Sequence, residues 1–194
     1  MNMPLDALND VPDEALLIAY GNGDQLAARA LTLRLTPRVF GFANRMLRDR
    51  AEAEDVAQEA MMRLWKIAPD WRQGEAKVTT WLYRVTSNLC TDRLRKKRGV
   101  PLDEAPEPQD PTPGVHAAME QKQRVAALDK ALGALPERQR QAVVLRHIEG
   151  MSNPEIAEVM EIGVEAVESL TARGKRKLAG LLAGQKEELG FEDG

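Results

Sequence analysis

The sequence has little of what metal, redox or membrane chemistry would need. Cys90 is the only cysteine among 194 residues, so no disulfide can close within the chain and a reducing compartment suits it. The two histidines, His116 and His147, stand far apart. With one thiol they leave no set spaced for zinc. Aromatic residues make up 4%, and no apolar run approaches the roughly 20 residues that cross a bilayer. The opening stretch, MNMPLDALNDVPDEALL, has no basic start followed by an apolar core and does not read as a signal peptide. No Ser/His/Asp set, phosphate-cradling glycine loop or cofactor fingerprint is evident. An enzyme reading therefore has no convergent residues to rest on. The expectations are a cytoplasmic protein with no membrane insertion, no cofactor and no metal.

What is present is helical. Hydrophobic residues are 43% and charged residues 29%, ordinary for a globular chain, and no segment alternates as a strand would. The pattern predicts an all-α fold. Asp13–Tyr20 reads as a first helix with Asp13 as its N-cap. Asp24 caps a second, running to about Leu47, which Pro37 is expected to kink or divide. Ala51–Ile67 forms a third, with Val56, Ala60, Leu64 and Ile67 on its inner face. After the loop APDWRQGEA a fourth runs from about Val78 to Lys97, with Val78, Leu82, Val85 and Leu89 facing inward.

Pro101, Pro106, Pro108, Pro111 and Pro113, interleaved with acids, then make a stretch that cannot build a core. It reads as a flexible, acidic, Pro-rich linker between two small helical domains. Beyond it Gln121–Leu132 is helical, Pro136 suits the first turn of the next helix, and Gly150 stops that helix. In MSNPEIAEVM, Ser152 or Asn153 offers cap chemistry with Glu155 in the first turn. The short turn EIG then leads into VEAVESLTARGKRKLAGLL. Two helices joined this way make a helix-turn-helix, with Ile156, Ala157 and Val159 or Met160 packed on Val164, Val167 and Leu170.

The formal net charge of -3 does not advertise a nucleic-acid binder, but the distribution of charge does. Arg93, Arg95, Lys96, Lys97 and Arg98 crowd one helix end, and Arg173, Lys175, Arg176 and Lys177 another. With the inner face of the fourth helix buried, Arg84, Asn88 and Arg95 share a face suited to a nucleic-acid backbone. Trp71, Trp81 and Tyr83 lie near its head, where aromatics stack on unpaired bases; a core role for Trp81 is the competing reading. In the second domain the second helix would lie in a major groove with its N-terminal residues over base edges, and Glu165, Ala166, Glu168, Ser169 and Ala172 point away from the packed side. Arg173, Lys175, Arg176 and Lys177 reach phosphates. The third helix has the opposite sign. Glu52, Asp55 and Glu59 line its exposed face, flanked by Gln58 and Met62, a surface suited to a basic protein partner or simply to solvent.

Taken together, AEDVAQEAMMRLW, TTWLYRVTSNLCTDRLRKKRG and LPERQRQAVVLRHIEGMSNPEIAEVMEIGVEAVESLTARGKRKL, in that order, resemble the three signature segments of bacterial sigma factors of the extracytoplasmic-function group. The resemblance implies a region-two-like domain over 1–99, a linker over 100–119, a region-four-like domain over 120–183 and a tail over 184–194. It implies that Asp55, Gln58, Glu59 and Met62 meet the clamp helices of core RNA polymerase. Trp71, Arg72, Lys77, Trp81, Arg84, Asn88, Arg95, Lys96 and Arg98 would hold the melted minus-ten element of promoter DNA. Glu165, Ala166, Glu168, Ser169, Ala172, Arg173, Lys175 and Arg176 would read the minus-thirty-five element, with the second domain also touching the polymerase flap. An anti-sigma factor is the further partner implied. The recognition helix departs from the family's T-V-K-S-R-L-x-R-A-R: Glu168 stands where Lys is common, Leu170 where Arg is, and Gly174 replaces an Ala at about 1 kcal/mol of helix propensity.

Two non-enzymatic alternatives stay open on the sequence. One is a stand-alone helix-turn-helix regulator, which leaves the acidic helix and first basic cluster without a task. The other is a sigma mimic that sequesters an anti-sigma factor, which does not need both basic clusters.

Overall fold

The computed structural model describes residues 5–74, 76–99 and 116–188. Residues 100–115 of the linker expected over 100–119, and the end of the expected tail, 189–194, lie outside the described residues; 116–119 begin a helix. Among the described residues every regular element is helical. The chain divides into two compact units, one of Met1–Arg98 with Glu158–Glu161 and one of Gly99–Ala157 and Ile162–Gly194.

In the first unit α1 (Asp13–Gly21), α2 (Gln25–Leu47), α3 (Arg50–Ile67) and α4 (Val78–Arg98) surround one core. Leu17, Leu31, Val39, Phe42, Val56, Leu64, Val78 and Leu82 are fully buried there. The inner faces expected of α3 and α4 hold at Val56, Ala60, Leu64, Val78, Leu82 and Leu89, whereas Ile67 and Val85 stay half-buried. Asp24 accepts from the amides of Leu26 at 2.9 Å and Ala27 at 3.3 Å, so the cap expected for α2 is present.

The cap expected at Asp13 and a division of α2 at Pro37 are both absent, for physical reasons. Asp13 is not an N-cap. Pro12 holds that position without a side-chain bond, and Asp13 instead accepts from Arg34 at 2.6 Å. The same guanidinium donates to the carbonyls of Leu8, Asn9 and Val11, which ties the N-terminal turn to α2. Nor does Pro37 divide α2, which runs unbroken through it. The helical bond that Pro37 cannot make would have gone to Leu33, itself 61% exposed, so the loss falls on the solvent side of the helix.

The second unit contains α5 (His116–Gly133), α6 (Glu137–Val143), α7 (Asn153–Met160) and α8 (Val164–Glu188). Pro136 is the N-cap of α6 rather than part of its first turn, and a π-helical turn, Val144–Ile148, extends that helix. Gly150 closes it at φ +70°, the left-handed backbone glycine favours. Ser152 and Glu155 then form a reciprocal cap: the Glu155 carboxylate accepts from the Ser152 amide at 2.8 Å, and the Ser152 hydroxyl accepts from the Glu155 amide at 3.3 Å. The α7–α8 turn passes through Glu161 at φ 56°. Ile156, Val159, Met160 and Val167 are buried as expected of a helix-turn-helix, but Val164 is 39% exposed, since it opens α8 ahead of the packed turn.

Gly174 has a reason beyond propensity. A Cβ there would lie 2.6 Å from Val143 Cγ2 and 3.2 Å from the Gln139 carbonyl oxygen. The residue that looks like a weak point in α8 is what lets α8 press against α6.

Candidate nucleic-acid interface

The basic end of α4 is partly neutralised within the unit itself. Arg93 donates to Glu52, lies 3.9 Å from Asp55, and is joined by Lys97, which reaches Asp49 at 3.4 Å. Glu52 is thus a half-buried partner of Arg93, not the freely exposed acid that periodicity suggested. Its hydrogen bond, with the nearby charges of Asp55 and Glu59, raises the Arg93 pKa against the opposing effect of burial. Asp49 caps α3 by accepting from the Glu52 amide at 3.1 Å. That bond, with Lys97 adding to it, holds its carboxyl below the ordinary carboxylate range.

Arg95, Lys96 and Arg98 remain on the exposed surface, with Arg95 3.9 Å from Asp92. Trp81, Arg84, Asn88 and Arg95 follow one another at helical spacing on a single face, and the last three are exposed. At the head of this face Trp71 and Trp81 meet edge to face, with ring centroids 6.4 Å apart. Both are half-buried, and Arg72 and Lys77 are exposed in the loop between them. The helix start is fixed by α1, whose Glu14 carboxylate accepts from the Val78 amide at 2.9 Å. Tyr83 does not belong to this aromatic group. It is buried against Phe42, with ring centroids 5.5 Å apart, and the Arg38 guanidinium lies 5.7 Å from its ring. Trp81, two residues earlier, falls on the outer flank because two helical steps turn a side chain by about 200°.

On α3, Asp55, Gln58 and Met62 are exposed, and Glu59 is bridged to Arg63 at 2.8 Å. Gln58 and Met62 line a cleft of about 460 Å³ together with Phe40, Met61 and Trp65. The sequence reading missed Phe40 and Trp65 here; an aromatic on each of two adjacent helices, α2 and α3, was the available signal.

In the second unit Glu165, Ala166, Glu168, Ser169, Ala172, Arg173, Lys175 and Arg176 are all exposed along α8. Arg146 and His147 were not anticipated on this surface. Arg146 donates to the Met151 carbonyl at 3.1 Å. Partial desolvation, then the charges of Lys175 and Arg146, hold the imidazole of His147 below its ordinary pKa.

Among the described residues no group of three or more His, Cys, Asp or Glu is placed to hold a metal. No helix there is long and apolar enough to cross a membrane.

Two family models match the chain: Sigma-70 region 2 over residues 31–100, and Sigma-70, region 4 over residues 126–178. The ECF RNA polymerase sigma factor SigE of Mycolicibacterium smegmatis is 32% identical over 173 residues, covering 86% of this chain and 66% of the relative. The RNA polymerase sigma-H factor of Pseudomonas aeruginosa is 31% identical over 182 residues, covering 88% of this chain and 94% of the relative. Among solved structures, CnrH in complex with the cytosolic domain of CnrY superposes with a TM-score of 0.66 at 27% identity, over 89% of this chain and 97% of that one.

Proposed function

The chain belongs to the extracytoplasmic-function group of RNA polymerase sigma factors, and from that premise we propose how its surfaces divide the work of starting transcription. The carrying observation is the pairing, in one chain and in family order, of an acidic face on α3 beside a basic face on α4 with a separate helix-turn-helix. Asp55, Gln58, Glu59 and Met62 dock core RNA polymerase. Trp71, Arg72, Lys77, Trp81, Arg84, Asn88, Arg95, Lys96 and Arg98 hold the opened minus-ten element. Glu165, Ala166, Glu168, Ser169, Ala172, Arg173, Lys175 and Arg176 lie along the minus-thirty-five element, and the second unit touches the polymerase flap.

The division explains why an acidic protein carries basic helices: the positive faces are local tools for DNA. It also explains why the protein needs a partner. Opening a bubble of about ten pairs costs on the order of 14 kcal/mol at about 1.4 kcal/mol per step. Each stacked base returns only ~1–3 kcal/mol, and the Trp71–Trp81 pair offers stacking for few. Free protein therefore binds promoter duplex weakly, and RNA synthesis itself belongs to the polymerase. The protein acts in the cytoplasm and is restrained by an anti-sigma factor that covers the polymerase-docking face. CnrH, similar over most of its length, was itself solved bound to the cytosolic domain of CnrY.

The test is transcription by purified core polymerase, with and without this protein, on a library of random upstream sequences. New start sites that require the protein, sharing two elements upstream, are expected. An active core that gives no new initiation with folded protein rejects the proposal.

A further inference from the structure

We infer that Glu165 selects a C·G pair in the minus-thirty-five element through the amino group of the cytosine. The inference rests on the sigma-factor reading above and adds to it the base that one residue reads.

The phase of α8 singles out Glu165. Val167 is fully buried, and Gly174, seven residues on and so on the same face, touches Val143 and Gln139 of α6. That contact leaves no room for the helix to roll. At about 100° per residue, the face opposite carries Glu165, Ser169, Ala172 and Arg176, all exposed. This stripe starts in the first turn of α8, where a recognition helix lies over base edges. Glu165 is its first member.

A carboxylate in that place can accept from two bases, cytosine at N4 and adenine at N6, but the N7 acceptor beside adenine N6 opposes it and leaves cytosine favoured. Ionised, it only accepts hydrogen bonds, and it repels phosphates. In the major groove the cytosine N4 amino group is a donor that pairs with Glu. Guanine presents acceptors there and would oppose it.

Glu168 is placed differently. It follows Val167 by one residue, so it lies on the flank of α8, in line with Lys175 seven residues on. Its carboxylate works against phosphate contacts on that flank and carries no base preference. The two glutamates thus make separable predictions.

The test is the random-library transcription assay with core polymerase and full-length protein as wild type, Glu165→Gln and Glu168→Gln. Circular dichroism verifies that each variant is folded, which substitutions at two exposed positions should allow. The wild type is expected to enrich a minus-thirty-five element with one position that favours C·G about tenfold. Glu165→Gln should lose that preference and shift it towards A·T, because glutamine pairs with the adenine N6 and N7 edge. Glu168→Gln should keep the preference while binding more tightly at raised salt.

A wild-type element with no C·G-dependent position overturns the inference. So does a C·G preference that survives Glu165→Gln, or one that Glu168→Gln abolishes. In each of these cases initiation still depends on the protein and the sigma-factor reading stands. Failure of the wild type to direct any initiation overturns both together.

Discussion

At the end of α4, Arg93 and Lys97 turn back onto Glu52 of α3 and Asp49, its N-cap, while on α8 Arg173, Lys175 and Arg176 stay at the surface and the helix is held by a close contact at Gly174. The two segments look alike as strings of basic residues. One is positioned by charge and uses up part of its own cluster doing so. The other is positioned by shape and leaves its cluster for a partner. A count of lysines and arginines therefore overstates the binding capacity of α4 and not that of α8.

The largest effect is expected where shape does the positioning. Gly174→Leu forces a branched side chain onto Val143 and the Gln139 backbone, and overpacking of this kind costs about 3 kcal/mol or more. Gly174→Ala should be milder, because about 1 kcal/mol of gained helix propensity offsets part of the clash. Hydrogen exchange in the full chain would read both: amide protection should fall in α6 and α8 and stay unchanged in α2 and α3. A stabilised Gly174→Ala protein would show that α8 does not approach α6 this closely.

Next comes the cap that begins the charge-positioned pair. Asp49→Ala removes the acceptor for the Glu52 amide and the partner of Lys97. Loss of such a cap costs about 1 kcal/mol, read as faster exchange of the first-turn amides of α3. An unchanged exchange pattern would mean that α3 starts without help from Asp49.

Smaller still is the split within the basic cluster itself. Arg93→Gln breaks an ion pair whose partners are only 26% and 34% exposed, so a loss near the top of the ~0.2–1 kcal/mol range for surface pairs is expected. Its effect on promoter binding by the polymerase complex should be slight. Arg95→Gln should do the reverse. Stability holds, and the slope of log affinity against log salt falls by about one. If both variants alter the salt slope equally, Arg93 is not withheld from DNA by Glu52.

Much of this was legible in the sequence. Helix limits followed from apolar spacing and caps, because the inner stripes Val56–Ala60–Leu64 and Val78–Leu82–Leu89 are regular and a packed face must repeat with the helix. The all-α class, the helix-turn-helix and the exposure of Glu165, Glu168, Ser169 and Arg176 on α8 followed in the same way. What stayed hidden depends on contacts between elements far apart in the chain. The tie from Arg34 to Asp13, the pairing of Arg93 with Glu52, and the seat of Gly174 on α6 each join residues that no local window contains. Tyr83 was misassigned because it lies close to Trp81 in sequence, although two steps along a helix turn a side chain from surface to core.

The smallest effect is pH, and it separates the two units by order. His147 is held below its ordinary value of 6.5 in the folded protein, so the unfolded chain binds its proton first. Stability of the second unit therefore rises with pH up to about the unfolded value and is progressively lost as pH falls below 6.5. Asp49 is held below 3.8. Its contribution to the α3–α4 pair is intact above that value and is lost only as pH falls through the lowered folded one. On mild acidification α6 and α8 should lose protection first, with exchange corrected for the intrinsic effect of pH, while α3 holds until the solution is far more acid. His147→Gln should remove the first step. Asp49→Asn keeps an acceptor for the Glu52 amide but cannot titrate, so it should remove the Asp49 part of the second. Loss of α3 protection before α8 would reverse the comparison, and would mean that charge holds α4 less firmly against acid than the Gly174 contact holds α8.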